Sequence, residues 1–296
     1  MSALNDWMES LTAEVNAGLD RWMPTASERP ARLHEAMRYS VFAGGKRIRP
    51  ILCLLCAEAC GGDRSAALRP AGAIELLHTY TLIHDDLPAM DDDDLRRGRP
   101  TLHKVVGEAN AILAGDALLT LAFEWLAGCP APPPHDPGRL AYELARASGS
   151  RGVAGGQFED MEAEGEAPDA LRLEFIHRHK TAALIEAACR MGALVAGASA
   201  PRVDALGGYG RDVGLAFQIA DDVLNVTATS EELGKRAGRD ATRGKLTYVA
   251  VYGVEASLRR ARECADSAIQ ALDGLPESEA RSRLQALARH IVERRN

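Results

Sequence analysis

The chain has 296 residues, of which 46% are hydrophobic, 26% charged and 5% aromatic, with a net charge of −7. This composition is globular, and the negative balance argues against a general nucleic-acid binder, because neutralising phosphates needs basic surface. The acidic, amphipathic start MSALNDWMESLTAEVNAGLDRW lacks the features of a secretory signal, and the longest apolar run, ILCLLCA at 51–57, is far short of the ~20 residues of a membrane span, so a soluble, cytoplasmic protein is expected.

Alanine- and leucine-rich segments with 3.6-residue spacing predict helices near 3–22, 29–43, 50–60, 68–86, 107–127, 138–149, 170–199, 203–228, 245–271 and 276–294. Gly44-Gly45, Gly61-Gly62, CPAPPPHDP at 129–137 and GEAPD at 165–169 fall between them as breakers. No clear period-2 run stands out, so residues 1–296 are expected to form one all-α domain. In the third helix Cys53, Cys56 and Cys60 share a face. Without a fourth ligand they read as small core side chains rather than a zinc site, and reduced thiols suit the cytoplasm. Segments 112–127 and 213–226 are apolar nearly all round and read as central helices of a large bundle. On the second of these, Gln218, Asp221, Asp222 and Asn225 form a single polar stripe.

The fourth helix leads into HDDLPAMDDDDLRRGR at 84–99, with six aspartates in ten positions. Two carboxylates ~4 Å apart repel by ~4 kcal/mol at an effective dielectric near 20, so clustered acids around one cavity call for bridging cations. Oxygen ligands without His or Cys suit Mg²⁺, Ca²⁺ or Mn²⁺, and the EF-hand pattern is absent. Mg²⁺ in particular takes one or two carboxylates plus substrate phosphates. Asp85 and Asp91 would lie on different helical faces, but Pro88 disfavours helical geometry at Leu87 and lets the chain return Asp91 towards Asp85. His84, His103, His177 and His179 read as surface or supporting residues, since no two share a face with a third ligand.

Cations accompany the acids. GGKRIRP at 44–50 sets Lys46, Arg47 and Arg49 after a Gly-Gly break and before a helix start, a setting that favours an anion. It is not a P-loop, since GxxxxGK[ST] is absent. Arg96, Arg97 and Arg99 follow the first acid cluster, and HRHKT at 177–181 and GKRAGRD at 234–240 come later. Acids and bases together point to a diphosphate bound through metal.

GGKRIRP, LLHTYTLIHDDLPAMDDDDLRRGRPTLH, ILAGDALL, GGQFEDM, HRHKTAALI, AFQIADDVLNVT and ELGKRAGRDATRGKLTY resemble, in content and order, the blocks of the trans-polyprenyl synthetase family, over roughly residues 30–253. Within that family the chain is most similar to the bacterial, farnesyl-producing group. The resemblance implies an all-helical bundle around a deep central cavity, a homodimer, and three Mg²⁺ ions per site, with Mn²⁺ as a substitute. It implies Asp85, Asp86, Asp91, Asp221 and Asp222 as metal residues. Lys46, Arg49, His78 and Arg97 would hold isopentenyl diphosphate. Arg96, Lys180, Thr181, Gln218, Lys235 and Lys245 would hold the allylic diphosphate. Tyr80, five positions before Asp85, and its neighbour Thr81 would limit product length.

Two positions depart from the family pattern. Asn225 stands where the second motif normally ends in Asp, and Val249 stands where Pro commonly follows the KxTY segment. Rival readings are a ten- or twenty-carbon synthase, a class I terpene cyclase, which would lack the Lys46/Arg49/His78 anchor, and an inactive dimerising paralogue.

Overall fold

The structure, a computed structural model, describes residues 2–129, 132–136, 138–227 and 244–293. In chain order its helices are α1 Ser2–Trp22, α2 Ala31–Val41, α3 Ile48–Ala59, α4 Arg64–Asp85, α5 Leu102–Val106, α6 Glu108–Ala127 and α7 Gly138–Ser148. They continue with α8 Val153–Glu162, α9 Ala170–Ile176, α10 Ala183–Val195, α11 Ala200–Thr227, α12 Tyr248–Ala271 and α13 Glu279–Glu293. A π-helical turn, His177–Ala182, joins α9 to α10. The fold is all-α, as the helical periodicity implies. The chain divides into two compact units, Met1–Ile51 with Ser65–Pro130 and Leu52–Arg64 with Ala131–Asn296.

In the first unit α4 is the central helix, with eleven buried residues that include Ile74, Leu76, Leu77 and Ile83. It starts at Arg64, earlier than the sequence suggests, and carries Pro70 within it. By length and composition α6 is apolar enough to cross a membrane, contrary to the expectation drawn from contiguous apolar runs. Eight of its twenty residues, among them Leu118, Leu121, Trp125 and Leu126, are buried within this unit, while Ile112 and Leu113 are exposed. A buried ion pair runs through the same core: Arg47 Nη1 donates to Glu75 Oε1 at 2.6 Å, Nη2 to the Val41 carbonyl and Nε to Asn16 Oδ1.

In the second unit α11 packs against α10 and α12, and its Tyr209 hydroxyl, fully buried, donates to the Leu284 carbonyl at 2.8 Å. All six cysteines are free, and all but Cys60 are buried, in keeping with a packing role. Burial pushes the Cys56 thiol well above its ordinary range, helped by its hydrogen bond with Cys189.

Three local differences from the expected elements bear on function. Residues 95–100 form a hairpin, β1 Leu95–Arg96 paired with β2 Arg99–Pro100, whose two loop residues Arg97 and Gly98 both have positive φ. A two-residue primed turn needs that geometry, and an Arg-Gly pair signals it only weakly. GGQFEDME, which falls outside the expected helices, lies within α8. The helix expected over 170–199 is interrupted by the π turn, which periodicity cannot see because apolar spacing continues through it.

Candidate active site

In the first unit α4 ends in the acid cluster, and Pro88 interrupts the helical path. The chain then folds back on itself: Asp91 N donates to the Asp85 carbonyl at 2.8 Å, Asp92 N to Leu87 O and Asp93 N to Asp86 O. Asp85 and Asp91 are thereby pinned backbone to backbone with half-exposed side chains, as the proline argument anticipates. Asp86 differs from them. It is buried, and Arg96 grips it with Nε to both oxygens at 2.9 Å and Nη2 to Oδ1 at 2.6 Å. Burial raises the Asp86 carboxyl and the Arg96 guanidinium opposes that shift. Asp86 thus anchors the hairpin arm that carries Arg96.

The tip of that hairpin docks on the Gly-Gly loop. Arg97 Nη1 donates to the Gly44 carbonyl, and a Cβ at Gly45 would sit 2.6 Å from the same nitrogen, so Gly45 leaves the room that the guanidinium fills. Beside it, Arg49 Nη1 lies 3.3 Å from His78 Nε2 on α4. The electrostatics here favour an anion. Burial, with Arg97 adding to it, lowers Arg49 to about 10. Burial and then Arg49, Arg97, Arg96 and Arg47 hold His78 well below its usual range, and Arg97 is lowered chiefly by burial. Cations held down together mark positive potential that a bound anion would relieve. The structure brings Arg49, His78 and Arg97 into one cluster, with Lys46 exposed on the adjoining loop. Arg47, from the same run of cations, is instead committed to the core.

In the second unit the π turn carries Lys180 and Thr181. Lys180 Nζ donates to Asp160 Oδ2 of α8 at 2.6 Å, and Lys245 Nζ lies 3.9 Å from the same oxygen. Gly156, one turn before Asp160, permits this: a Cβ there would lie 2.2 Å from the Lys180 backbone nitrogen. Asp160 was not singled out from the sequence. Its signal was Gln157 and Asp160 at i and i+3 behind a glycine pair, and both are buried.

Thr181 Oγ1 donates to Gln218 Oε1 at 2.8 Å, and Gln218 Nε2 donates to Asp222 Oδ1 at 3.0 Å. Asp222 Oδ2 then accepts from Tyr248 N at 2.8 Å, the first residue of α12. Asp222 is therefore buried and occupied with fixing the KLTY segment, whereas its neighbour Asp221 on α11 is half-exposed. His177 is buried rather than superficial, 3.5 Å from Asp222 Oδ2, and burial lowers it to about 3, so it is neutral. Asn225 is buried on the same helix, and Lys235 lies outside the described residues.

Tyr80 is half-buried on α4, its ring edge-on to His84 with centroids 4.9 Å apart, and Thr81 donates to the His78 carbonyl. Among the described residues no three His, Cys, Asp or Glu side chains converge tightly enough to hold an ion alone. In the first unit Asp85 and Asp91 nevertheless offer hard oxygens, as Asp221 does in the second, and such donors fit an ion that draws the rest of its shell from substrate phosphates and water, as Mg²⁺ does.

An all-α chain with paired acids and a separate cluster of cations has the makings of an enzyme acting on diphosphates. A profile of the polyprenyl synthetase family matches residues 30–284, and the chain belongs to that family. It is a prenyltransferase of isoprenoid biosynthesis. It is 47% identical to the heterodimeric geranylgeranyl pyrophosphate synthase large subunit 1 of Arabidopsis thaliana over 288 residues, 95% of this chain and 77% of that one. It is 46% identical to the farnesyl diphosphate synthase of Escherichia coli K12 over 291 residues, 97% of each chain. Among solved structures, the geranylgeranyl pyrophosphate synthetase of Pyrococcus horikoshii superposes with a TM-score of 0.89 at 34% identity, covering 99% of both chains.

Proposed function

We propose that the protein condenses isopentenyl diphosphate with dimethylallyl and geranyl diphosphate to give farnesyl diphosphate, acting as a cytoplasmic homodimer. The observation that carries the chain length is Tyr80 on α4. It stands five residues before Asp85, ~7.5 Å along a helix, where its half-buried ring would meet a growing prenyl tail. The farnesyl-producing relative matched over nearly its full length supports this reading. A twenty-carbon product is the second reading, favoured by the geranylgeranyl synthases among the relatives.

Lys180, Thr181, Gln218, Arg96, Lys235 and Lys245 hold the allylic diphosphate. Lys46, Arg49, His78 and Arg97 hold the diphosphate of the second substrate and aim its double bond at the allylic carbon. Asp85, Asp91 and Asp221 would hold Mg²⁺, which when bound would supply positive charge to the diphosphate oxygens. The allylic C–O bond breaks with its electron pair going to the diphosphate. The isopentenyl double bond attacks the cationic carbon, and loss of a proton then restores a double bond. Asp86 and Asp222 position Arg96 and the KLTY segment, and Asp160 sets the two lysines.

Purified protein with Mg²⁺, labelled isopentenyl diphosphate and geranyl diphosphate tests this, with products dephosphorylated and separated by chromatography. A fifteen-carbon alcohol is expected. A twenty-carbon product selects the second reading, and no incorporation of label refutes the condensation. Asp85→Ala and Asp221→Ala should each abolish turnover.

A further inference from the structure

The second unit has another cavity, of about 210 Å³, whose lining shares no residue with the acid or lysine groups described above. It lies beside α10, walled by α7 and the turn after it, by Arg178 and His179 of the π turn, and by Arg211 of α11. Ala147, Ala183 and Ala187 line it with nothing larger than a methyl group. Five guanidiniums and two carboxylates, Glu143 and Glu186, line it, and Glu174 and Asp204 pair with two of those arginines from beside the cavity.

The arginines fall into two sets. Arg178, Arg190 and Arg211 are tethered: Arg178 to Glu174 at 2.6 Å, Arg190 to the buried Glu143 at 3.1 Å and to Asp204 at 3.0 Å, and Arg211 to Glu186 at 3.2 Å. Arg190 has been given a fixed place, since a Cβ at Gly207 would sit 2.8 Å from its Nη1. Arg146 and Arg151 have no ion-pair partner among the described residues, and both are exposed at the rim. A cavity with two uncommitted guanidinium forks above three tethered ones suits a ligand with several anionic oxygens, because paired N–H donors match phosphate geometry.

We propose that this groove is a second, metal-independent binding site for a diphosphate-bearing anion, with Arg146 and Arg151 as its main donors. The site stands on the π turn opposite to Lys180 and Thr181, which reach Asp160 and Gln218. Its ligand therefore need not be the substrate of the reaction.

Isothermal titration of the full chain with inorganic diphosphate in EDTA is the direct test. With Arg49→Ala introduced to silence the Lys46/Arg49/His78/Arg97 cluster, one binding event is expected, weakened about tenfold by each of Arg146→Glu and Arg151→Glu, the scale of losing a charge-assisted hydrogen bond. It should survive Arg146→Lys with a smaller loss and be unaffected by Lys180→Ala. The two glutamate variants should keep wild-type thermal stability and prenyltransferase activity. Repeating the titration with ADP and with farnesyl diphosphate identifies whether a nucleotide or an isoprenoid source of the group binds more tightly. No binding in EDTA, or binding abolished by Lys180→Ala and unchanged in the two glutamate variants, overturns the proposal.

Discussion

Replacing Gly156 by alanine tests the contact that sets the lysines of the second unit. The new Cβ would lie 2.2 Å from Lys180 N, 2.7 Å from Lys180 Cα and 2.8 Å from the His179 carbonyl carbon. Ordinary contacts between non-bonded carbons fall near 3.5–4.0 Å, so α8 and the π turn must separate by roughly 1 Å. Both sides are backbone, and no rotamer change relieves the clash. Overpacking of this kind costs ~1–3 kcal/mol, and the upper end is expected here, reduced by the ~0.5–1 kcal/mol that alanine gains over glycine in a helix. The same shift would pull Asp160 from Lys180, now 2.6 Å apart, and misplace the lysine relative to the diphosphate we propose it holds. A displacement of that size can cost up to ~100-fold, so KM for the allylic diphosphate should rise by about tenfold or more.

Gly208→Ala on α11 is the control, because nothing lies within 4 Å of its Cβ position. It should stabilise by ~0.4–1 kcal/mol and leave both KM values alone. Denaturant unfolding and steady-state kinetics read both effects. Should Gly156→Ala match wild type in stability and allylic KM, close approach of α8 is not what positions Lys180.

Glu75→Ala should destabilise by ~3–5 kcal/mol in denaturant unfolding, since it leaves Arg47 charged in the core, and Arg47→Ala should lower stability more than substrate affinity. Lys46→Ala and Arg49→Ala should instead raise KM for isopentenyl diphosphate far more than for the allylic substrate, which steady-state kinetics with each substrate varied will separate. Tyr80→Ala should lengthen the product, and an unchanged chromatogram would remove Tyr80 as the limit. Folded His177 has its pKa lowered to about 3 against an unfolded value near 6.5. Between those values the unfolded state binds the extra proton, so stability is fully present above about pH 6.5 and is lost as pH falls towards 3. His78 acts in the same direction. Lowering pH from 7 to about 4.5 should cost up to ~3 kcal/mol through His177, and His177→Gln should flatten that slope in pH-dependent unfolding.

Periodicity in this sequence was enough for the all-α class and for most helices, because a buried helical stripe must recur at 3.6 residues whatever it packs against. Pro88 told where α4 stops and why Asp91 can return to Asp85, since that is a local backbone effect. The acids and cations announced a diphosphate enzyme through charge that isolated surface loops rarely concentrate. What each charged residue does depended on its neighbours in space. Arg47 and Arg49 are two residues apart, yet one neutralises Glu75 in the core and the other sits beside His78 among unneutralised cations. Asp221 and Asp222 are adjacent, and helix geometry turns the second inward to Gln218 and Tyr248. Asp160 acquired two lysines only because the π turn and the end of the KLTY loop approach α8, and the groove beneath Arg146 and Arg151 exists only where α7, α10 and α11 meet. Apart from Gln218 and Asp222, which share one helix face, partners of this kind lie from about 20 to 85 positions apart along the chain, and no local pattern encodes a distance that packing alone sets.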